Sequence, residues 1–114
     1  MENFYDRTER LLGADAVAKL ARAHVVVLGV GGVGSWAAEA LARAGIGELT
    51  LVDFDRIAPS NLNRQVHALT STIGRLKVEV MAERLAQINP ALTIHTHAER
   101  LLPEALPDYL ADGD

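Results

Sequence analysis

The residues best suited to chemistry lie between Gly29 and Lys77. Gly29, Gly31 and Gly34 form G-x-G-x-x-G directly after the apolar run Val25-Val26-Val27-Leu28, with Gly32 inside the motif and Ser35 just beyond it. The first glycine permits a tight turn out of a strand, the second lets backbone approach a phosphate where a Cβ would clash, and the third lets a helix pack closely on a sheet. Unpaired N–H groups at the start of the following helix, with the positive end of its macrodipole, favour an anion, and Ser35 can add a hydroxyl donor. Asp53, 19 residues after Gly34, stands where a carboxylate accepts hydrogen bonds from ribose hydroxyls. Glycine-rich turns alone occur in many loops; strand, glycines, helix and acid in this order predict a nucleotide site. NAD, FAD and ATP all present a ribose and phosphates, so the fingerprint leaves the nucleotide open.

The residues after Asp53 narrow the choice. Asp53-Phe54-Asp55 is followed by Ser60-Asn61-Leu62-Asn63-Arg64-Gln65 and Gly74-Arg75-Leu76-Lys77. Two cations, Arg64 and Lys77, 13 residues apart on either side of a turn, suit a triphosphate whose charge must be neutralised during transfer at phosphorus. A nicotinamide site has little use for them. This wording resembles the D-x-D, S-N-L-x-R-Q and G-x-x-K signature of the adenylating superfamily that includes ubiquitin-activating enzymes and the bacterial activators of sulfur-carrier proteins. Within it, Gly29 to Gly47 and Asn63 to Leu69 most resemble the tRNA threonylcarbamoyladenosine dehydratase branch, and the likeness runs from about Phe4 to Pro90.

The resemblance implies an enzyme that binds ATP with Mg2+ and adenylates a substrate carboxylate, the substrate being tRNA. It puts Asp53 on the ATP ribose, Asp55 and Asn61 near ribose and phosphates, and Arg64 and Lys77 on the phosphates. Gly29, Gly31, Gly32, Gly34, Ser35 and Gln65 complete the implied nucleotide set, and no metal ligand is expected among the side chains. Phe4 to Gly13 resembles the superfamily's entry motif, in which an arginine crosses a homodimer to the partner's triphosphate; Arg7 matches best by spacing and Arg10 is the second candidate. Two rivals remain open: activation of a ubiquitin-like sulfur carrier at its C-terminus, and a nucleotide-binding piece without catalysis.

These side chains need a scaffold. The pattern predicts a helical arm through Ala23, a strand over His24 to Gly29, a helix over about Ser35 to Ala44, and a strand over Glu48 to Asp53. After a polar loop, Val78, Met81, Leu85 and Ile88 fall on one face of a helix predicted over about Gly74 to Ile88, which Pro90 ends. Leu92, Ile94 and Thr96 alternate with Thr93, His95 and His97, predicting a third strand, and a short helix follows Pro103. The expected fold is α/β: a Rossmann-like parallel sheet with flanking helices, strand order 3-2-1. It is the first half of a doubly wound domain, so residues 1–114 are expected to be its ATP-binding half, truncated at the C-terminus.

Several residues have plainer readings. Trp36 is expected to pack helix on sheet, Arg22, Arg43, Arg75, Arg84 and Arg100 to be solvated charges, and His95 and His97 to be a solvent-facing or packed pair. His67, nearest the site, is expected to be structural because the superfamily motif does not demand it.

Composition bounds the rest. The chain has 114 residues, 49% hydrophobic, enough for one small core. No apolar run approaches the roughly 18 residues of a membrane span, and the start lacks a signal-peptide layout, so a cytoplasmic location and no membrane partner are expected. With no cysteine, thiolate nucleophiles and cysteine zinc sites are excluded within these residues. A net charge of −4 gives no general attraction to RNA, so a tRNA docking surface must be local or lie elsewhere.

Overall fold

In the computed structural model, which describes residues 2–114, the apolar stretches pair as parallel strands. β1 (His24–Leu28) pairs with β2 (Glu48–Val52), and β2 with β3 (Thr93–His97), in the order β1-β2-β3. Leu49, Leu51 and Val52 of β2 are fully buried, as expected of a middle strand covered on both sides. β1 has the composition of an inner strand yet lies at the edge of these three; Asp114 N–H donates to the His24 carbonyl at its first residue.

Both crossovers run over the same face, as right-handed βαβ connections between successive neighbouring strands require. The first contains α3 (Gly32–Ala44) and the second α4 (Lys77–Ile88). Ala38 and Ala42 of α3 meet Val78, Met81 and Leu85 of α4 over Val27, Leu49 and Leu51 in one buried cluster. The predicted helices begin at different residues: α3 starts earlier, at Gly32, and α4 later, at Lys77. In the second case Asp55 to Ile57 pairs with Gly74 to Lys77 as a short antiparallel bridge, through Ile57 N to Arg75 O (2.9 Å) and Lys77 N to Asp55 O (3.1 Å). Those backbone groups are unavailable to a helix.

The predicted arm is two helices, α1 (Asp6–Leu12) and α2 (Ala14–Arg22), broken at Gly13. Leu20 and Ala23 pack against the core, and the Tyr5 ring lies over Gly45 at the end of α3. A 3-10 turn at Pro103–Ala105 leads into α5 (Leu106–Leu110). No helix of the described residues is long and apolar enough to cross a membrane.

One expectation fails here. Arg84 and Arg43 are not simply solvated: both hydrogen-bond the buried Glu39 of α3, Arg84 reaching from α4 and Arg43 from one turn along, at 3.3 Å. A carboxylate inside the α3–α4 seam must be paired, and sequence periodicity does not report its partner. Arg75 likewise pairs with Glu83 at 2.6 Å, and Arg100 sits 5.2 Å over the Phe54 ring.

The Arg84 guanidinium, aided by Arg43, holds Glu39 below its ordinary 4.5 although burial opposes this. A carboxylate depressed in the folded state contributes stability that is full above its unfolded value and lost as pH falls through its folded one. We expect Arg84→Met to cost about 1–2 kcal/mol near neutral pH, less than for a fully buried pair because Arg84 is partly exposed. Thermal unfolding of wild type and variant should converge as pH falls from neutral through the lowered Glu39 value; an equal gap at neutral and strongly acid pH contradicts the assignment.

Candidate functional site

At the carboxyl ends of β1 and β2, the two glycine-rich and acidic loops meet, the crevice where open α/β sheets receive ligands. Gly29 turns out of β1 with φ +92°, a backbone conformation costly for any side-chain-bearing residue. Gly34, in the first turn of α3, passes so close to β1 that a Cβ there would fall 1.8 Å from the Gly29 carbonyl oxygen. Gly31 differs: a Cβ would meet nothing nearer than Gln65 Nε2 at 3.8 Å, so packing within the chain does not require glycine there. α3 begins without a side-chain cap and with no acidic residue in its first turn, leaving its N-terminal N–H groups and positive dipole end uncompensated.

Asp53 ties the loops together. One carboxylate oxygen accepts Val30 N–H at 2.7 Å and the other Asp55 N–H at 2.8 Å. Each oxygen keeps a second lone pair that can accept from a hydroxyl. Asn61 is buried and its side-chain oxygen holds Ala58 N–H at 2.8 Å, while its carbonyl accepts Arg64 and Gln65 N–H, shaping the turn that carries both residues.

The cations are placed differently. The Lys77 side chain is 8% exposed, opens α4, and has Asp55 as its ion-pair partner at a loose 3.9 Å. Arg64 is exposed; its chain lies 3.6–3.7 Å from the Cβ position of Gly32, and Nη1 donates to Ser60 O (3.0 Å) and Asn63 Oδ1 (2.9 Å). Gln65 is buried beside Gly31, its Oε1 without a hydrogen-bond partner. Glycine loop, Asp53, Asp55, Asn61, Arg64, Gln65 and Lys77 therefore share one region, which can hold a ribose and a polyanion.

Arg7 is not brought there by its own chain. Its side chain is 82% exposed on α1, with Glu2 4.0 Å away, and Arg10 is exposed on the same helix.

Two expectations are corrected. Trp36 does not pack helix on sheet: it is 53% exposed, and its indole N–H donates to the Arg64 carbonyl at 2.7 Å. The reason is angular, since the buried side of α3 is already filled by Ser35, Ala38, Glu39 and Ala42. Ser35, expected to add a hydroxyl donor for the anion, is fully buried and its oxygen accepts Val66 N–H at 3.3 Å. His67 belongs to the same lacing: its Nε2 is 2.8 Å from Val30 O, and burial, with the nearby Lys77 charge adding, holds its imidazole below the ordinary 6.5. Its nearness to the motif was the only sequence signal.

A cleft of about 710 Å³ lies elsewhere, on the sheet face opposite α3 and α4. Its histidines are matched within the chain: His24 to Asp112 O and Thr50 Oγ1 at 2.7 Å each, His95 to Glu48 at 2.6 Å, and His97 beside Glu99 at 3.8 Å. It contains no residue of the glycine loop.

Comparison with known proteins gives the family to which the chain is similar. Residues 5–114 match the model of the ThiF family. A tRNA threonylcarbamoyladenosine dehydratase of Haemophilus influenzae is 53% identical over 104 residues, covering 91% of this chain and 40% of that protein. A molybdopterin-synthase adenylyltransferase of Salmonella typhimurium is 42% identical, covering 94% and 44%. The crystal structure of the E. coli tRNA N6-threonylcarbamoyladenosine dehydratase in complex with ATP superposes with a TM-score of 0.93 at 48% identity, over 96% of this chain and 45% of that one. The chain thus spans less than half the length of these relatives.

Gly31 and Gly34 offer a contrast. Gly34→Ala should destabilise the fold by about 3 kcal/mol or more, because the overlap is with backbone. Gly31→Ala should change stability by less than about 1 kcal/mol yet weaken nucleotide binding. Denaturant unfolding of both variants checks this, and equal destabilisation would refute the distinction.

Proposed function

The chain belongs to the ThiF family, and from that premise we propose that the intact protein uses ATP to adenylate the carboxylate of the threonylcarbamoyl group on a tRNA adenosine, which then closes into a ring. Residues 1–114 would supply the ATP-binding half of a Rossmann-like domain, in the cytoplasm where tRNA is found. Lys77 carries the reading. A nearly buried ammonium at a helix N-terminus is disfavoured both by desolvation and by the helix dipole, and Asp55 at 3.9 Å repays little of that. A phosphate in the adjoining crevice supplies the missing counter-charge. The high identity to named dehydratases supports the choice of substrate.

In this mechanism ATP lies along the Gly29 to Gly34 loop with its ribose hydroxyls on Asp53, and the uncapped start of α3 faces the phosphates. Arg64 leaves Ser60 and Asn63 to join Lys77 there. Magnesium would accompany ATP and offset phosphate charge when bound. The substrate carboxylate attacks the α-phosphorus, pyrophosphate leaves, and an acyl-adenylate remains; the group's own carbamoyl then displaces AMP, a net loss of water. Positioning and charge stabilisation suffice, with no protein nucleophile. Arg7, exposed on an arm bearing the exposed Leu11 and Leu12, is proposed to act across a homodimer on the partner's phosphates.

Pyrophosphate exchange into ATP by the intact protein tests the reaction: we expect it to depend on tRNA carrying the modification and not on a sulfur-carrier protein, and dependence on the carrier alone would select that rival. Arg64→Ala and Lys77→Ala should each lower the rate about 100-fold with the circular dichroism unchanged; a loss under tenfold in either counts against its role. Calorimetry should give tighter binding of ATP with magnesium than of NAD. For the arm, mixing Arg7→Ala subunits with Lys77→Ala subunits should restore partial activity, whereas no recovery places Arg7 outside the partner's site.

A further inference from the structure

Residues 64–67 are tied to the glycine loop and the first turn of α3 by three side chains. Trp36 Nε1 donates to Arg64 O, Ser35 Oγ accepts Val66 N–H, and His67 Nε2 donates to Val30 O at 2.8 Å. The last of these acts on the peptide that leads into Gly31. That peptide is trans and planar, so fixing the Val30 oxygen also fixes the Gly31 N–H, which must point the opposite way. Asp53 fixes the preceding peptide through Val30 N–H at 2.7 Å. Two successive peptide planes between Gly29, with its positive φ, and the start of α3 are thus set from outside the loop. Gly31 N–H itself has no hydrogen-bond partner among the described residues, and a Cβ at Gly31 would meet nothing closer than Gln65 Nε2 at 3.8 Å.

We propose that His67 is a positioning residue for phosphate binding: by holding the Val30 carbonyl it aims the Gly31 N–H into the crevice where the nucleotide phosphates lie. The inference rests on the nucleotide reading of that loop. The Val30 carbonyl can only accept, so Nε2 carries the proton and Nδ1 carries the lone pair. Nδ1 is buried with no partner, so a second proton there would leave a buried charge unmatched. The Lys77 ammonium disfavours and the Asp53 carboxylate favours a charged imidazole, and burial disfavours it further. A neutral imidazole holds the loop without competing with Lys77 or Arg64 for the phosphates. An Arg or Lys at this position would add a third cation behind the loop.

The test compares ATP with adenosine, since only ATP uses the loop N–H groups. In the intact protein, His67→Gln keeps an N–H at the reach of Nε2, His67→Asn places it at the reach of Nδ1, and His67→Leu removes it. By calorimetry His67→Leu and His67→Asn should bind ATP about tenfold more weakly than wild type, with adenosine affinity within twofold. His67→Gln should recover ATP affinity to within threefold. Should the leucine variant not fold, the glutamine and asparagine variants decide between themselves. Equal ATP affinity in those two, or a parallel loss of adenosine binding, overturns the proposal and leaves His67 a core residue. Wild-type protein that binds adenosine but gains nothing from the phosphates of ATP overturns the nucleotide reading of the loop, and this inference with it.

Discussion

The carboxylate of Asp53 is the constraint on which the site depends. It is hydrogen-bonded at once to the loop leaving β1, through Val30, and to the loop leaving β2, through Asp55. Charge-assisted bonds to backbone N–H groups are stronger than neutral ones, and here they set the direction of two chain segments as they emerge from the sheet. From Asp55 the constraint passes on. The Asp55 carbonyl accepts Lys77 N–H, so the start of α4, and with it the ammonium, is placed relative to the same carboxylate. A glutamate, one methylene longer, would push both loops outward.

The packing behind the site explains why this arrangement can hold. α3 lies so close to β1 that Gly34 touches the Gly29 carbonyl, and α4 is joined to α3 by apolar contacts and by the Glu39 pairing with Arg84. Both helices therefore present their N-termini from a rigid base. Fixed N–H groups and a pre-placed cation need little reorganisation when an anion arrives. The cost is visible in Lys77, a buried cation at the wrong end of a helix, and in Gly29, whose backbone conformation excludes nearly every other residue.

Much of the fold was legible because buried parallel strands and core-facing helices leave strong periodic marks. Val25 to Leu28, Leu49 to Val52, and the Val78, Met81, Leu85 face stand where the pattern put them. Element starts were less legible. Whether α4 begins at Gly74 or Lys77 depends on the bridge from Ile57 to Arg75, a contact between residues far apart in the chain. Arg84 was misread for a similar reason, since nothing local marks Glu39 as its partner across a helix seam.

The sequence by itself determined the order of strands and helices, the glycine loop and its acid, and the identities of the cations near it, because these follow from local spacing and residue chemistry. Only the tertiary structure decided what those residues do to one another. Trp36 faces outward to hold Arg64, Ser35 is enclosed against Val66, and His67 reaches the Val30 carbonyl, three roles fixed by how segment 64–67 folds back over the first turn of α3. Hydrogen-bond direction and burial are properties of paired segments, so they exist only once the chain has brought those segments together.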